Sequence, residues 1–571
     1  MGSPAKETEV GQHEGEDEIT PARNNTAAPR NELRDKATEF LKAHAGGDSS
    51  FTYEEEKAVL RRIDFRLLPL LLGAYFFQQL DKSSLSYVSI FGITEDAKLV
   101  GQQYSWLGSI LYLAQLVMQP LAAFILVKLP TGKVIAGAIF LWGSSLAIMS
   151  ACTDFPSLLG LRFMLGSFEA MIAPSCVAVT QMWWRRSEQT LRTSYWNAMN
   201  GITAIVGSLF TYGLGHIESR VMFKYQIIFL FCGLLTVVYS AIVLIFMPDS
   251  PMEAKYLNER EKVIAVERLR ANQMGVASRS WRWDHAWETL LDLKTWCWFV
   301  AIIAISYVTP LSVPSEVISV HPKPPLTSHS IASGGIGTFG SLIVKDFGYT
   351  NFEAILFNIP FGAIQFIVII GSGWVATRFQ HKGLTITGVS VLPIVGTIIM
   401  LSVPREHKGV LLFGYYLVSC MAAITPLIYA WQAQNTGGDT KKKCTSAMVF
   451  IGMCTGNVIG PLLYSTDQAP FYRPGLISNL IMFALVGGIS AIIPFYLMFL
   501  NRRHAKRREE LGKNAVIVDE SMMGKSQMEN GKVSELEDGD RGANQRQKAL
   551  EEDNALRDMT DVQNEDFIYV Y

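Results

Sequence analysis

The sequence is poor in charged residues and in cysteine pairs. Only 18% of its 571 residues are charged, whereas soluble domains average about 25%. Its seven cysteines form no Cys-x-x-Cys pair and no cluster with metal-ligand spacing, so we interpret them as small core residues. The net charge of −1 gives no indication of nucleic-acid binding. Without a phosphate loop, nucleophile motif or metal cluster, we expect no enzyme, no cofactor and no metal site.

The first 60 residues lack the apolar core of a signal peptide. They are polar and include the run GQHEGEDEIT, so the first membrane span is expected to act as the insertion signal. Both ends of the sequence are rich in charge and low in apolar residues, which predicts disordered tails.

Apolar residues, in contrast, make up 49% of the chain and occur in long blocks. About 20 apolar residues cross the hydrocarbon core as a helix. Blocks of this kind lie at about 67–92, 104–127, 133–151, 156–182, 194–214, 223–247, 295–344, 351–375, 384–403, 409–431, 444–464 and 475–499. They predict an all-α, multi-pass membrane protein of twelve transmembrane helices in two six-helix bundles.

The blocks also divide the chain into expected domains. These are an N-terminal tail at 1–64, a first bundle at 65–247, a central loop at 248–294, a second bundle at 295–499 and a C-terminal tail at 500–571. Lys and Arg concentrate in alternate connections, as in RRIDFR before the first block, WWRRSEQTLR after the fourth and NRRHAKRR after the twelfth. The positive-inside rule therefore predicts that both tails and the central loop are cytoplasmic.

A helix is expected in the central loop, along the cytoplasmic face. Ser250 and Glu253 have the spacing of a capping box, and Pro251 suits the first helical position. We expect this helix to connect the two bundles and to carry no chemistry.

The seventh block contains an interruption at 307–330 that holds five prolines. Irregular backbone of this kind leaves amide groups unsatisfied in lipid, and removing it fuses the flanking apolar fragments into one span. We therefore suspect a retained intron that is translated in frame. The alternative is a genuine loop or re-entrant segment.

Four charged residues lie inside predicted spans. The first block carries Asp81 and Lys82 within FFQQLDKSSLSY, and the fourth carries Arg162 and Glu169. Arg162 and Glu169 are seven positions apart, which places them on one helix face. Because a charge at the bilayer centre costs roughly 2.5–3.5 kcal/mol on insertion scales, such residues indicate function. They either form salt bridges that fix helix packing, or divide the work between anion binding (Lys82, Arg162) and proton transfer (Asp81, Glu169).

Several polar residues in other blocks are candidates to complete a substrate site. They are Tyr104, Tyr112, Gln115, Thr338, Asn358, Gln365 and Asn457. Each of them is either a ligand contact or a helix–helix hydrogen bond.

Longer stretches carry a family resemblance. They are RRIDFRLLPLLLGAYFFQQLDKSSL, LRFMLGSFEAMIAPS, WWRRSEQTLRTSYW, SPMEAKYLNEREKVIAVERLR, FGYTNFEAILFNIPFG and TKKKCTSAMVFIGMCTGNVIGP. Together they resemble the fungal anion:cation symporter family of the major facilitator superfamily, the group that includes allantoate permease.

The resemblance implies alternating access and proton-coupled uptake of a small carboxylate, such as allantoate, nicotinate or pantothenate, by a monomer in the plasma membrane. It assigns proton coupling to Asp81 and Glu169, and carboxylate binding or gating to Lys82 and Arg162. Lys82 departs from the usual Arg, and the superfamily's G-x-x-x-D-R-x-G-R loop is reduced to VKLPTGK. An exporter, a transporter of a specialised metabolite and a non-transporting nutrient sensor remain alternatives.

Overall fold

The computed structural model describes residues 40, 41, 43, 51–90, 93–100, 103–217, 222–274, 280–308, 358–404, 407–459, 473–522, 554 and 558–571. Within these ranges all regular secondary structure is helical.

The described residues of the first half form eight α-helices. They are α1 (Tyr53–Ile90), α2 (Ile93–Asp96), α3 (Gln103–Lys128), α4 (Thr131–Met149), α5 (Phe155–Glu169), α6 (Ile172–Trp183), α7 (Arg186–Gly215) and α8 (Lys224–Phe246). Helices α5 and α6 follow one another closely and act as a single span.

In the central loop and the second half, the described residues form nine more α-helices. They are α9 (Glu259–Arg270), α10 (Trp283–Leu291), α11 (Leu293–Val308), α12 (Asn358–Phe379), α13 (Lys382–Ser402), α14 (Lys408–Ser419), α15 (Ile424–Gln434), α16 (Asp439–Ile459) and α17 (Arg473–Glu510). A short 3-10 turn, Cys420–Ala423, joins α14 to α15.

Eight helical spans of the described chain are long and apolar enough to cross a membrane, and the bent pair α10–α11 makes a ninth. Helices α1, α7 and α16 hold more polar residues, yet they pack lengthwise among the others. Each half therefore contributes six helical spans, and the predicted all-α architecture of two six-helix bundles is confirmed.

The two halves meet where α7 packs on α12 and where α3 packs on α16. At the first junction the backbones of Gly201 and Gly362 are so close that a Cβ at Gly201 would lie 2.3 Å from the Gly362 carbonyl oxygen. Glycine is required here because any side chain would push the two helices apart.

One end of the bundle, which we call the basic face, is defined by Arg185, Arg186, Arg268, Lys294 and Lys441. The start of α1 lies there, because Glu56 Oε1 is 3.0 Å from Arg185 Nη1. Arg268 on α9 bonds both Glu56 and Glu188, so the central loop packs against this face. Polar contacts also join the two halves here, since Gln181 Nε2 donates to the Ala433 carbonyl at 2.8 Å.

The predicted central helix is present but begins later than expected. Ser250 makes no cap bond, and Pro251–Glu253 is only a 3-10 turn. The helix starts at Glu259, because Asn258 accepts from the Glu261 backbone N–H at 2.8 Å and the Glu261 carboxylate accepts from the Asn258 N–H at 3.0 Å. This reciprocal capping box fixes the start.

The expectation of a disordered C-terminal tail is wrong for its last residues. Helix α17 continues to Glu510, and residues 558–571 pack on the bundle with Phe567 and Tyr569 fully buried. Aromatic side chains supply the apolar burial that offsets the entropy of ordering this segment.

The suspected insertion falls almost entirely outside the described residues. Of 307–330, only Tyr307 and Val308 are described, and they continue α11 to its end. Thr338 also lies outside the described ranges.

Candidate functional site

An ion pair between Lys82 and Glu169 forms the centre of the candidate site. Lys82 on α1 and Glu169 at the end of α5 place Nζ and Oε1 2.9 Å apart. The Lys82 side chain is 18% exposed and that of Glu169 only 1%. Lys82 is therefore the more exposed partner of the pair.

Asp81 is adjacent to Lys82 in sequence but lies in a different environment. Its Oδ2 accepts hydrogen bonds from Trp142 Nε1 at 2.6 Å and from Thr236 Oγ1 at 3.0 Å. The side chain is fully buried, and among the described residues Oδ1 has no hydrogen-bond partner. Asp81 thus faces α4 and α8 inside the first half, whereas Lys82 faces α5.

Arg162 is a buried cation that pairs with neither carboxylate. Its guanidinium carbon lies 5.7 Å from the centre of the Phe229 ring. Within the described part of the chain, Nε and Nη2 have no hydrogen-bond partner. Arg162 and Glu169 share α5 as predicted, but Glu169 pairs with Lys82, so Arg162 keeps unused donors.

The second half reaches this site through α16. Cys454 Sγ lies 3.7 Å from Gln115 Oε1 on α3 and donates to it, which places Gln115 where the two halves meet. Tyr112, one turn earlier on α3, lies within electrostatic range of Lys82. Of the three candidates on α3, Tyr112 is therefore near the ion pair and Gln115 lies at the junction with α16, while Tyr104 donates its hydroxyl to the Leu85 carbonyl at 3.0 Å.

Two other predicted residues are not brought to the ion pair by any described contact. Asn457 Nδ2 donates to the Met453 carbonyl one turn back on its own helix at 2.9 Å. Asn358 is the first residue of α12, and its side chain lies outside the described residues.

An aromatic row beside the ion pair was missed by sequence analysis. Tyr75 and Trp196 have ring centroids 4.9 Å apart, Trp196 and Tyr429 stack at 6.2 Å, and Tyr429 lies 4.8 Å from Phe450. The row crosses from the first half into the second. Its one available signal was spacing, because Tyr75 is seven residues before Lys82 and so shares its helix face.

The start of α4, directly after its short connection to α3, contacts Asp249 beyond the end of α8. The Lys133 backbone N–H donates to Asp249 Oδ1 at 3.2 Å, and the side chains lie 3.7 Å apart. A Cβ at Gly132 would lie 2.9 Å from that same oxygen. These contacts tie the start of α4 to the end of α8 within the first half.

Metal ligands are not grouped in the described residues, which contain no set of three His, Cys, Asp or Glu side chains able to hold an ion. The site is instead an ion pair, a buried guanidinium and a buried carboxylate among helices of a two-bundle fold.

This fold and this kind of site define a membrane transporter, and comparison identifies its family. Residues 71–461 match the Major Facilitator Superfamily. The chain belongs to that superfamily, and it is a transporter, not an enzyme.

Similar proteins are fungal transporters. The chain is 33% identical to the uncharacterized transporter C757.13 of Schizosaccharomyces pombe, over 80% of this chain and 83% of that protein. It is 31% identical to the thiamine pathway transporter THI73 of Saccharomyces cerevisiae, over 81% and 84%. It is 27% identical to allantoate permease of the same yeast, over 84% and 86%.

Solved structures agree on the fold. The proton:xylose symporter XylE aligns with a TM-score of 0.57 at 11% identity, over 76% of this chain and 95% of XylE. The transporter FucP in its outward conformation aligns with a TM-score of 0.53 at 14% identity, over 74% and 98%. At these identities the likeness shows shared architecture only.

Proposed function

We propose that this protein imports a small organic anion together with a proton. The observation that carries the proposal is the Lys82–Glu169 ion pair at 2.9 Å, together with buried Arg162, whose Nε and Nη2 have no hydrogen-bond partner within the described chain. Buried charges of this kind are costly and mark transport pathways.

The ion pair supplies a direct coupling device. While Glu169 is ionised it neutralises Lys82, so an incoming carboxylate gains little from that cation. When Glu169 takes a proton, the ammonium is released to bind the substrate carboxylate, and the charge of the site stays balanced. The proton and the anion are thus expected to load together, which is the behaviour of a symporter.

Asp81 is proposed as the second proton site. Its carboxylate is buried between α1, α4 and α8, away from the substrate, and one oxygen is held by Trp142 and Thr236. A carboxylate in this position can change protonation without contacting the anion, and Arg162 and Glu169 lie within electrostatic range of it.

Substrate contact is proposed for Lys82, Arg162, Tyr112, Gln115, Asn358 and Asn457. A carboxylate substrate agrees with the name of one relative, since allantoate is itself a carboxylate. Nicotinate and pantothenate are further candidates of the same class. Lys82 stands where the family usually has arginine, and lysine offers a point charge without a bidentate fork. We therefore expect the site to select less strictly for the orientation of the substrate carboxylate.

The basic face is proposed to be cytoplasmic and the membrane to be the plasma membrane, with the protein working as a monomer. Support for the orientation comes from the arginines and lysines gathered at the end of the bundle where α1 begins.

Uptake measurements test the proposal. The chain without 307–330 and the chain with it are expressed in cells lacking their own carboxylate permeases. Labelled allantoate, nicotinate, pantothenate and biotin are offered at pH 5 and pH 7.5, with and without a protonophore. We expect uptake of one acid, greater at pH 5 and abolished by the protonophore.

Two alternatives give different results in the same assay. An exporter or a transporter of a specialised metabolite would show no uptake of these acids while present at the cell surface. A nutrient sensor would bind an acid without accumulating it. Either result would reject proton-coupled import.

A further inference from the structure

The 558–571 segment lies on the basic face and inserts a buried acidic side chain into it. Asp561 is fully buried, and its two carboxylate oxygens lie 2.6 Å from Lys294 Nζ and 2.9 Å from Lys441 Nζ. These lysines belong to the starts of α11 and α16. Although burial opposes ionisation, the two ammonium groups hold the pKa of Asp561 well below its usual range.

The Asp561 carboxylate also accepts a hydrogen bond from within the segment. Tyr569 donates its hydroxyl to Asp561 Oδ2 at 2.9 Å. The Tyr569 ring lies 5.6 Å from Lys294 Nζ. An acidic residue and an aromatic residue eight positions later therefore form one compact unit that fits between α11 and α16.

The backbone of the segment is held by two side chains at the end of α15, Trp431 and Asn435. Val570 donates its N–H to Asn435 Oδ1 at 2.8 Å. Its carbonyl accepts from Trp431 Nε1 at 2.8 Å and from Asn435 Nδ2 at 2.9 Å. Side-chain bonds to both main-chain groups of Val570 indicate specific docking of the peptide, beyond nonspecific coverage of a surface.

One arginine joins the segment to both halves of the transporter. Arg186, at the start of α7, donates Nη2 to the Ile568 carbonyl and to the Gln434 carbonyl at the end of α15, each at 2.6 Å. Its guanidinium carbon also lies 4.7 Å from the centre of the Phe567 ring. Arg186 is of the first half and Gln434 of the second, so the segment strengthens the junction that closes this face.

We propose that residues 558–571 form an intramolecular latch: an acidic, aromatic peptide that docks on the basic face and holds the two halves together there. Alternating access requires the halves to separate at each face in turn. Opening at the basic face breaks the Arg186–Gln434 contact, and the docked segment opposes this because Arg186 is also held by Ile568 and Phe567. Release of the segment is then the step that permits opening. The inference does not depend on substrate identity or on proton coupling.

A cysteine reporter between the halves measures opening directly. Gln181 on α6 is buried at this face and bonds the Ala433 carbonyl across the junction. In chains carrying Gln181→Cys, the maleimide labelling rate is corrected by subtracting the rate of the same chain without the reporter. The native cysteines therefore cancel.

Two charge variants in the segment form a matched pair. Asp561→Asn removes the ion pairs to Lys294 and Lys441, but both lysines keep Asp292 as a partner and Lys441 also keeps Glu288, so the fold is retained. Asp566→Asn makes the same chemical change in the same segment. Asp566 pairs with the half-exposed Lys513 and does not contact Lys294 or Lys441. We expect Asp561→Asn to raise the labelling rate about 10- to 100-fold, and Asp566→Asn to leave it within about twofold.

A synthetic peptide added to the shortened chain provides a second test of the latch. The chain ended at residue 557 is expected to label as fast as Asp561→Asn or faster, and a synthetic 558–571 peptide is expected to restore protection. The same peptide with Asn at position 561 should bind about 10- to 100-fold more weakly. Fast labelling that the peptide does not reverse would indicate a damaged fold and reject the latch. Unchanged labelling of both the shortened chain and Asp561→Asn would likewise overturn it.

Discussion

The ammonium of Lys82 lies 2.9 Å from the Glu169 carboxylate, and this contact divides the roles of two residues that are neighbours in sequence. Lys82 contacts Glu169 on α5, while Asp81 bonds Trp142 and Thr236 inside the first bundle. Asp81 and Lys82, although adjacent in the first span, therefore lie in two separate environments.

Glu169→Gln is expected to abolish proton-driven accumulation but to retain exchange of substrate for substrate. The amide cannot cycle between charged and neutral forms, so Lys82 stays available to the anion at every pH. Uptake at pH 5 and counterflow in proteoliposomes measure the two activities. The control is Asp154→Asn on the same helix, because Asp154 caps α5 by accepting from the Ser157 N–H at 3.0 Å and asparagine caps equally well. Normal accumulation by Glu169→Gln would remove Glu169 from the coupling mechanism.

Lys82→Ala is expected to raise the KM for the transported acid about 10- to 100-fold, because it removes a charge-assisted hydrogen bond worth about 1.5–3 kcal/mol. It also leaves Glu169 buried without a cation, at a cost to stability of about 3–5 kcal/mol. Lys82→Arg keeps the charge and should restore transport with a changed preference among acids. Concentration-dependent uptake gives KM, and thermal unfolding gives the stability change. An unaltered KM in Lys82→Ala would assign the pair to helix packing alone.

Asp81→Asn is expected to eliminate proton-driven accumulation while the protein still folds and reaches the membrane. The matched variant Trp142→Phe removes the 2.6 Å hydrogen bond to Asp81 but keeps the carboxylate, and it should retain accumulation. Uptake and surface expression are compared for both. If Trp142→Phe is as defective as Asp81→Asn, the hydrogen bond matters and the proton does not.

Gly201→Ala is expected to destabilise the junction between the two halves, since the new Cβ would lie 2.3 Å from the Gly362 carbonyl oxygen and force α7 away from α12. Thermal unfolding should show a loss of stability of about 1–3 kcal/mol, the usual cost of overpacking a close contact. Gly213→Ala is the control on the same helix, because a Cβ there meets nothing within 4 Å. Equal stability of the two alanine variants would show that the close glycine contact does not matter to the junction.

The mature transcript is predicted to lack the codons for 307–330. The physical reason is that five prolines in the middle of a span leave backbone amides that lipid cannot satisfy. Sequencing spliced message decides the matter. Codons for 307–330 in the mature message would establish the segment as part of the protein and favour a loop or re-entrant excursion.

Sequence alone determined the architecture. Apolar block length follows directly from bilayer thickness, so six spans in each half could be counted without coordinates. The same reasoning identified Asp81, Lys82, Arg162 and Glu169. An ionisable side chain inside an apolar block costs free energy on insertion, so its presence indicates a function.

Tertiary structure decided which of these residues meet. Spacing along α5 placed Arg162 and Glu169 on one face, yet Glu169 pairs with Lys82 of another helix, which no local pattern encodes. The aromatic row from Tyr75 to Phe450 and the docking of 558–571 were missed for the same reason. In sequence the segment is a charged tail, and only the positions of Lys294, Lys441 and Arg186, brought together from three distant helices, give Asp561 and Phe567 a place to bind.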